Sequence, residues 1–272
     1  MLIEWLEPLQ IPIIRNSLIG LMLAGGMFSL LGVVVISLNL TGLRFTLMHV
    51  GLLGAAVGIS LGISPTTGAF ILIIIISGLL GTIGDRLQLS VNSLSGLFMT
   101  GSLAVAFLIL ARSGVPAMEV FGIFAGSILF LTTVDLVVIA SLGLLILSVF
   151  FFGFREIQLT LVDKDLAKSL GVPVGLIHLI IFLLLGSAVA FALKLVGALL
   201  VDSVLLLPAM AALPLTSGLK SALFLTSLFG MLSSTSGFLL ALRFDLPVGA
   251  SVAVSGTGIL LLSLLVQRRN RK

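Results

Sequence analysis

Apolar runs long enough to cross a bilayer follow one another along almost the entire chain, and nothing else in the sequence limits its fold so severely. About 17–25 apolar residues wound as a helix cover the roughly 30 Å of hydrocarbon in a membrane. Such runs read at 16–40, 46–63, 66–84, 91–111, 131–153, 174–193, 196–213, 219–242 and 247–267. Lipid offers no water to a backbone amide, so each run is expected as a helix that closes its hydrogen bonds within itself. Among 272 residues there are 14 Lys and Arg and 10 Asp and Glu, too few to dress the outside of a soluble domain of this size. The expected fold class is therefore an all-α polytopic membrane protein, one transmembrane domain over 1–272. Nine transmembrane helices are expected, or eight if one segment is broken or re-entrant. Turn signals separate the runs at Asn39 to Gly42, Ser64-Pro65, Gly84-Asp85-Arg86, Arg112-Ser113-Gly114 and Asp245-Leu246-Pro247. The two least distinct runs are 46–63 and 196–213.

Charge sets the orientation. Cytoplasmic loops of membrane proteins carry an excess of Lys and Arg. With nine crossings and the basic tail at 268–272 placed inside, that face collects Arg44, Arg86, Arg155, Lys164, Lys168 and Lys220 besides the tail. The opposite face keeps Arg15, Arg112, Lys194 and Arg243, a split of 10 to 4. The N-terminus is then outside and the C-terminus inside. Residues 1–15 hold Glu4 and Glu7, with Arg15 their only basic residue, so they do not read as a cleaved leader. Trp5 suits the lipid–water boundary, where its ring stays apolar and its N–H stays wet, and 1–15 is expected as an interfacial segment.

Several function classes drop out. There is no cysteine, hence no disulfide, thiolate nucleophile or Cys-based metal site. No G-x-x-x-x-G-K-[ST] loop is present to cradle a nucleotide, so the chain is not its own ATP motor. Most basic residues are scattered singly between apolar runs, as in short membrane loops, so no nucleic acid is expected, and no bound cofactor. The glycines at 51, 54, 58 and 62, and at 122 and 126, have the spacing that lets membrane helices approach closely.

Ionisable residues inside the spans cost several kcal/mol unless they are paired or face water. Four stand out: Asp202 in mid-span, His49 and His178 near the inner ends of theirs, and Asp135 near the outer end of its own. Two imidazoles with a carboxylate suit a borderline divalent cation, and His49, Asp202 and His178 are the candidate metal ligands. The plainer reading is that each is a hydrogen-bonded interior group. Pro208 removes a donor within 196–213, where a kinked or interrupted helix is expected, and such broken helices often line transport sites. The longest hydrophilic stretch, 154–173, predicts a short amphipathic helix capped by Asp163 and ended by Gly171. Asp163, Asp165, Ala167, Lys168 and Gly171 make it a cytoplasmic loop that rests on lipid or docks into a soluble partner.

The residues then resemble the integral-membrane permeases of bacterial ABC importers for manganese, zinc and iron. V-D-K-D-L-A-K-S-L-G-V at 162–172 is similar to that family's Asp-x-x-x-Ala-x-x-x-Gly cytoplasmic loop, on Asp163, Ala167 and Gly171. V-G-A-L-L-V-D-S-V-L-L-L-P-A-M-A-A at 196–212 resembles its most recognisable segment, with Gly197, Leu200, Pro208 and Ala209 in place. H-V-G-L-L-G-A-A-V-G at 49–58, F-G-I-F-A-G-S-I at 121–128 and F-D-L-P-V-G-A at 244–250 are similar to its second span, middle loop and final turn. The resemblance implies a homodimeric permease in the bacterial inner membrane. It would receive a metal, zinc, manganese or iron, or a metal chelate, from an extracytoplasmic solute-binding protein. A separate cytoplasmic ATP-binding subunit would drive it by docking on 154–173. One departure stands out: the family usually has an aspartate four residues before the second-span histidine, and here Phe45 takes that place and Met48 that of a serine. Two other readings stay open on the residues alone. One is an ion-coupled secondary transporter using Asp202 and His49, the other a non-transporting membrane scaffold.

Overall fold

The computed structural model describes residues 10–83, 91–114, 131–197 and 201–270. They form α1 (Pro12–Ser37), α2 (Thr41–Ser60), α3 (Pro65–Ile83), α4 (Val91–Ser113), α5 (Thr133–Phe152), α6 (Phe154–Val162), α7 (Lys164–Ser169), α8 (Val174–Val196), α9 (Val201–Leu205), α10 (Leu207–Ala212) with a 3-10 turn at Leu213–Leu215, α11 (Leu219–Phe244) and α12 (Val248–Asn270). Among the described residues, 8 helices are long and apolar enough to cross a membrane: α1 to α5, α8, α11 and α12. The turn at 84–86, the segments 1–9 and 121–128, Gly122, Gly126, Leu200 and the last two tail residues lie outside the described residues.

Local chemistry explains most boundaries. Pro12 and Pro65 open α1 and α3, where a missing N–H costs nothing. Asn39 and Asp245 sit at positive φ, 55° and 51°, after α1 and α11, conformations that Asn and Asp tolerate best among residues with a side chain. At the start of α5 the Thr132 hydroxyl accepts from the Asp135 N–H at 3.2 Å, and the Asp135 carboxylate accepts from the Thr132 N–H at 3.1 Å and its hydroxyl at 2.9 Å. This reciprocal cap satisfies two otherwise orphaned donors and accounts for Asp135 as a structural residue.

The segment expected at 196–213 is the one that is interrupted. Gly197 has φ +84°, a left-handed conformation that ends α8. From Val201 the chain winds to Leu215, and Pro208 offers no N–H to Val204. The bonds on either side, Leu206 N–H to Asp202 O at 2.9 Å and Met210 N–H to Leu206 O at 2.8 Å, keep the path helical past the gap. At about 1.5 Å per residue, Val201–Leu215 is roughly 22 Å long, short of a full span by itself.

The start of α2 also departs from expectation. The helix begins at Thr41, five residues before the apolar run, so Arg44 lies in its first turn and is buried, not in a loop.

The chain divides into two compact units. The first comprises residues 1–36, 126–149 and 195–272. Its α1 and α11 cross backbone against backbone: a Cβ placed on Gly25 would collide with the Gly230 carbonyl and the Ser234 hydroxyl, and one on Gly230 with the Gly25 carbonyl. Close Cα–H to carbonyl contacts of this kind take the place of a hydrophobic driving force, which helices in lipid lack. Val33 of α1, Ala209 of α10 and Ala222 of α11 form a buried cluster in the same unit. The second unit comprises residues 37–125 and 150–194. There Gly54 and Gly58 of α2 lie on Gly68 of α3, as the glycine spacing predicts, whereas Gly62 falls in the following turn at φ +71°. Leu52, Ala55 and Ala56 of α2 pack with Ala106 and Leu110 of α4. The buried Thr46 hydroxyl donates to the Ser95 carbonyl at 2.8 Å, and Ser77 of α3 donates to the Phe182 carbonyl of α8.

Candidate functional site

His49 projects from α2 two turns past its start and is half-buried. Its Nδ1 lies 2.7 Å from the Phe45 carbonyl oxygen one turn earlier. A carbonyl only accepts, so Nδ1 carries the proton and donates. In the neutral ring Nε2 then keeps its lone pair, the state in which an imidazole coordinates a metal. Phe45 is exposed on this face, and the Arg44 guanidinium stands over its ring, 4.1 Å from the centroid. Sequence patterns did not reveal this stacked pair.

His178 sits in the first turns of α8 and Asp202 in the first turn of α9, both half-buried. One Asp202 carboxylate oxygen is closed off from solvent. His49 and His178 belong to the second unit and Asp202 to the first. Among the described residues, no three His, Asp or Glu side chains gather closely enough to hold a metal ion. Each candidate ligand therefore enters the functional reading singly.

The loop at 154–173 folds as the residues predict, with one addition: the amphipathic α6, burying Ile157 and Thr160, precedes the short helix. The Asp163 carboxylate accepts from the backbone N–H groups of Asp165 at 2.9 Å and Leu166 at 3.1 Å and so caps α7. At the other end the Gly171 N–H donates to Lys168 O and the Val172 N–H to Ala167 O, both at 3.0 Å, with Gly171 at φ +80°. That pairing closes the helix as a Schellman motif, which needs the left-handed residue at Gly171. Ala167 faces inward and is fully buried. Val162, Leu166 and Leu170, four residues apart, are exposed beside Asp163, Lys164, Asp165 and Lys168. The result is a rigid foot with an uncovered apolar ridge flanked by charges of both signs.

The Asp163 carboxyl is held below the usual carboxylate range by the Leu166 and then the Asp165 backbone N–H bonds. A depressed folded-state pKa contributes stability that is complete above the unfolded-state value and disappears as pH falls through the folded-state value. Below the ordinary carboxylate range, α7 is therefore expected to lose amide-exchange protection at Asp165 and Leu166. In Asp163→Asn, whose amide oxygen still accepts but does not titrate, protection should not show this extra acid loss. The comparison of the two proteins across pH checks it.

The family model that matches residues 10–267 is that of the ABC 3 transport family. The chain is a member of it. Like others of this family, it is a membrane-spanning permease of an ABC transporter. It is 28% identical over 280 residues to the manganese import system permease protein ScaB of Streptococcus pneumoniae, covering 100% of this chain and 97% of that one. The manganese transport system membrane protein MntC of Halalkalibacterium halodurans is 26% identical over 241 residues, covering 89% and 82%. The high-affinity zinc uptake system membrane protein ZnuB of Haemophilus influenzae is 26% identical over 239 residues, covering 88% and 92%. Among solved structures, a chain of PsaBC from Streptococcus pneumoniae in complex with Fab superposes with a TM-score of 0.82 at 25% identity, covering 97% of this permease and 95% of that chain.

Proposed function

We propose that this permease imports a transition metal, zinc, manganese or iron, as a divalent ion or a chelate, across the bacterial inner membrane. In this reading it works as a homodimer among lipids, takes its cargo from an extracytoplasmic solute-binding protein, and is driven by a cytoplasmic ATP-binding subunit. The observation that carries the reading is the foot at Asp163–Gly171. Both ends of α7 are closed by hydrogen bonds, so its exposed Leu166 and Leu170 form a preorganised ridge. Such a ridge suits a groove in a separate motor, which a chain without a phosphate loop requires. Full-length similarity to permeases named for manganese and zinc supports the choice of cargo.

The N-terminus lies outside and the C-terminus inside in this reading, with Val201–Leu215 and its flanking residues making one of nine crossings. If that segment did not cross, the foot would lie on the face opposite the basic tail. Arg15, Arg112, Lys194, Lys220 and the tail would then stand against Arg44, Arg86, Arg155, Lys164, Lys168 and Arg243, eight to six, and the asymmetry in charge would almost vanish. Non-helical backbone at membrane depth is tolerated where it is buried in protein or lines a cavity, which suits the left-handed Gly197 that ends α8.

Purification of the tagged chain from its native membrane tests the reading: an ATPase and ATP-dependent uptake of labelled manganese, zinc or iron should accompany it. His49→Ala is expected to lower uptake at least about tenfold without loss of the complex, the loss typical of removing a metal ligand or its orienting partner. Uptake that proceeds without nucleotide would favour the secondary transporter, and no uptake of any kind the scaffold.

A further inference from the structure

Two glycines fix the register of the α11–α12 hairpin in the first unit. A Cβ on Gly237 would strike the Val252 backbone, and one on Gly256 would lie 3.7 Å from the Ser233 Cβ. Both pairs fit one antiparallel register, which brings Lys220 in the first turn of α11 level with Arg269 in the last turn of α12. Lys220, Arg268 and Arg269 are all exposed, and Arg271 and Lys272 follow them in sequence. The described carboxylates of the unit lie elsewhere. Asp245 closes the other end of α11, and Asp202 precedes Leu207, whose side chain meets Gly256. Asp135 opens α5, where Leu136 lies against Gly20 near the start of α1, whereas the last turns of α1, at Val33, pack on Ala222 near Lys220. At the tail end of the hairpin the described ionisable groups are therefore all basic. Next to them the surface is apolar and uncovered: Phe224 of α11 and Leu261, Leu262, Leu265 and Val266 of α12 are 50–72% exposed. Helix α12 runs unbroken over 23 residues. At 1.5 Å per residue that is about 34 Å, a little more than the hydrocarbon thickness, so its last turn stands at headgroup depth.

A ligand that matches this surface is anionic at one end and apolar at the other. Free phosphate or an acidic soluble protein would meet the cations but leave the leucine face uncovered. We propose that the tail end of the α11–α12 hairpin binds an anionic phospholipid, its phosphate among Lys220, Arg268 and Arg269 and its acyl chains along Phe224, Leu261 and Leu265. Arg supplies a planar fork for phosphate oxygens and Lys a point charge. Clusters of basic residues at the end of a membrane helix attract anionic lipid in this way. The site is independent of the cargo, and the bound lipid holds this end of the hairpin at a fixed depth.

The test uses the full chain with its only tryptophan removed, Trp5→Phe, and one reporter introduced at an exposed site of α12. Leu265→Trp places the reporter beside the cations, and Val254→Trp places it about 16 Å away along the same helix. Each protein is reconstituted from a monodisperse peak into bilayers that mix phosphatidylcholine with phosphatidylglycerol. Quenching by brominated phosphatidylglycerol is compared with quenching by brominated phosphatidylcholine, which gives the relative affinity of the two lipids at that spot. At residue 265 phosphatidylglycerol should be favoured at least about fivefold, the factor for a single engaged Lys or Arg. At residue 254 the ratio should be close to one. Arg268→Gln and Arg269→Gln with Lys220→Gln should bring the ratio at residue 265 to about one, and Lys220→Gln alone should lower it at least about twofold. Raising the salt from about 0.1 M to about 1 M should shrink the preference, because exposed charges are screened. Equal ratios at the two reporters, a triple variant that keeps the wild-type ratio, or a Lys220→Gln variant with an unchanged ratio overturns the proposal. So does loss of a co-purifying subunit from the triple variant when residue 265 shows no lipid preference, which would give the patch to a soluble protein.

Discussion

Gly230→Leu, and equally Gly25→Leu, is expected to leave almost no assembled permease in the membrane. The side chain would have to enter the space already held by a backbone carbonyl of the crossing helix, and a backbone cannot rotate aside as a flexible side chain can. Overpacking a well-filled core costs about 1–3 kcal/mol and sometimes more. At this crossing the α1 and α11 axes must separate, which also breaks the Cα–H contacts and the bond from the buried Ser29 hydroxyl to the Thr226 carbonyl. A protein stable by roughly 5–15 kcal/mol does not absorb several such losses. Gly101→Leu is the control, since a Cβ there meets nothing within 4 Å. Size-exclusion yield and thermal aggregation in detergent measure the effect. Equal yield and melting temperature for Gly230→Leu and Gly101→Leu would refute the claim that this contact holds the first unit together.

Leu166→Asp combined with Leu170→Asp should uncouple transport while leaving the permease folded. These side chains are 49% and 60% exposed, so the isolated chain gains little from them. Their exposure stands out because α7 is otherwise closed so carefully: Asp163 caps one end, Gly171 the other, and Ala167 anchors the middle. None of those contacts uses the leucine side chains. Burying a leucine stabilises by about 1.5–3 kcal/mol. Removing two from a docking surface and adding two carboxylates should therefore weaken motor binding by at least about a hundredfold. Expected results are loss of the ATPase on purification and loss of ATP-driven uptake, with unchanged yield of the permease. An ATPase retained by the double variant would show that the ridge is not the docking surface.

How far each feature was legible depends on the distance over which its cause acts. The foot could be read residue by residue because a cap, a Schellman closure and an amphipathic turn are built from neighbours within a few positions. Asp135 yielded only half its meaning: its depth was visible, but its reciprocal bonds with Thr132 were not. The beginning of α2 was missed for a clear reason. Leu40 precedes the helix and makes no side-chain cap bond, so no polar signal marks Thr41 as the start. Arg44 consequently read as a loop residue, and the guanidinium over Phe45 stayed hidden. Pro208 marks a missing donor in the sequence, yet the helical bonds that continue around it depend on a geometry that apolar composition does not specify.

From the residues alone, then, came the solvent in which this protein lives, the number of apolar helices to within one and the shape of the foot at 163–171. These follow from transfer energies and short-range hydrogen bonding, and both are properties of a segment taken singly. The three-dimensional fold decided which glycines carry the weight of the bundle, which tautomer His49 adopts beneath Phe45, and where Arg44 rests. Those outcomes belong to pairs and triples of groups whose separation along the chain, as with Gly25 and Gly230, is set only when the helices have packed.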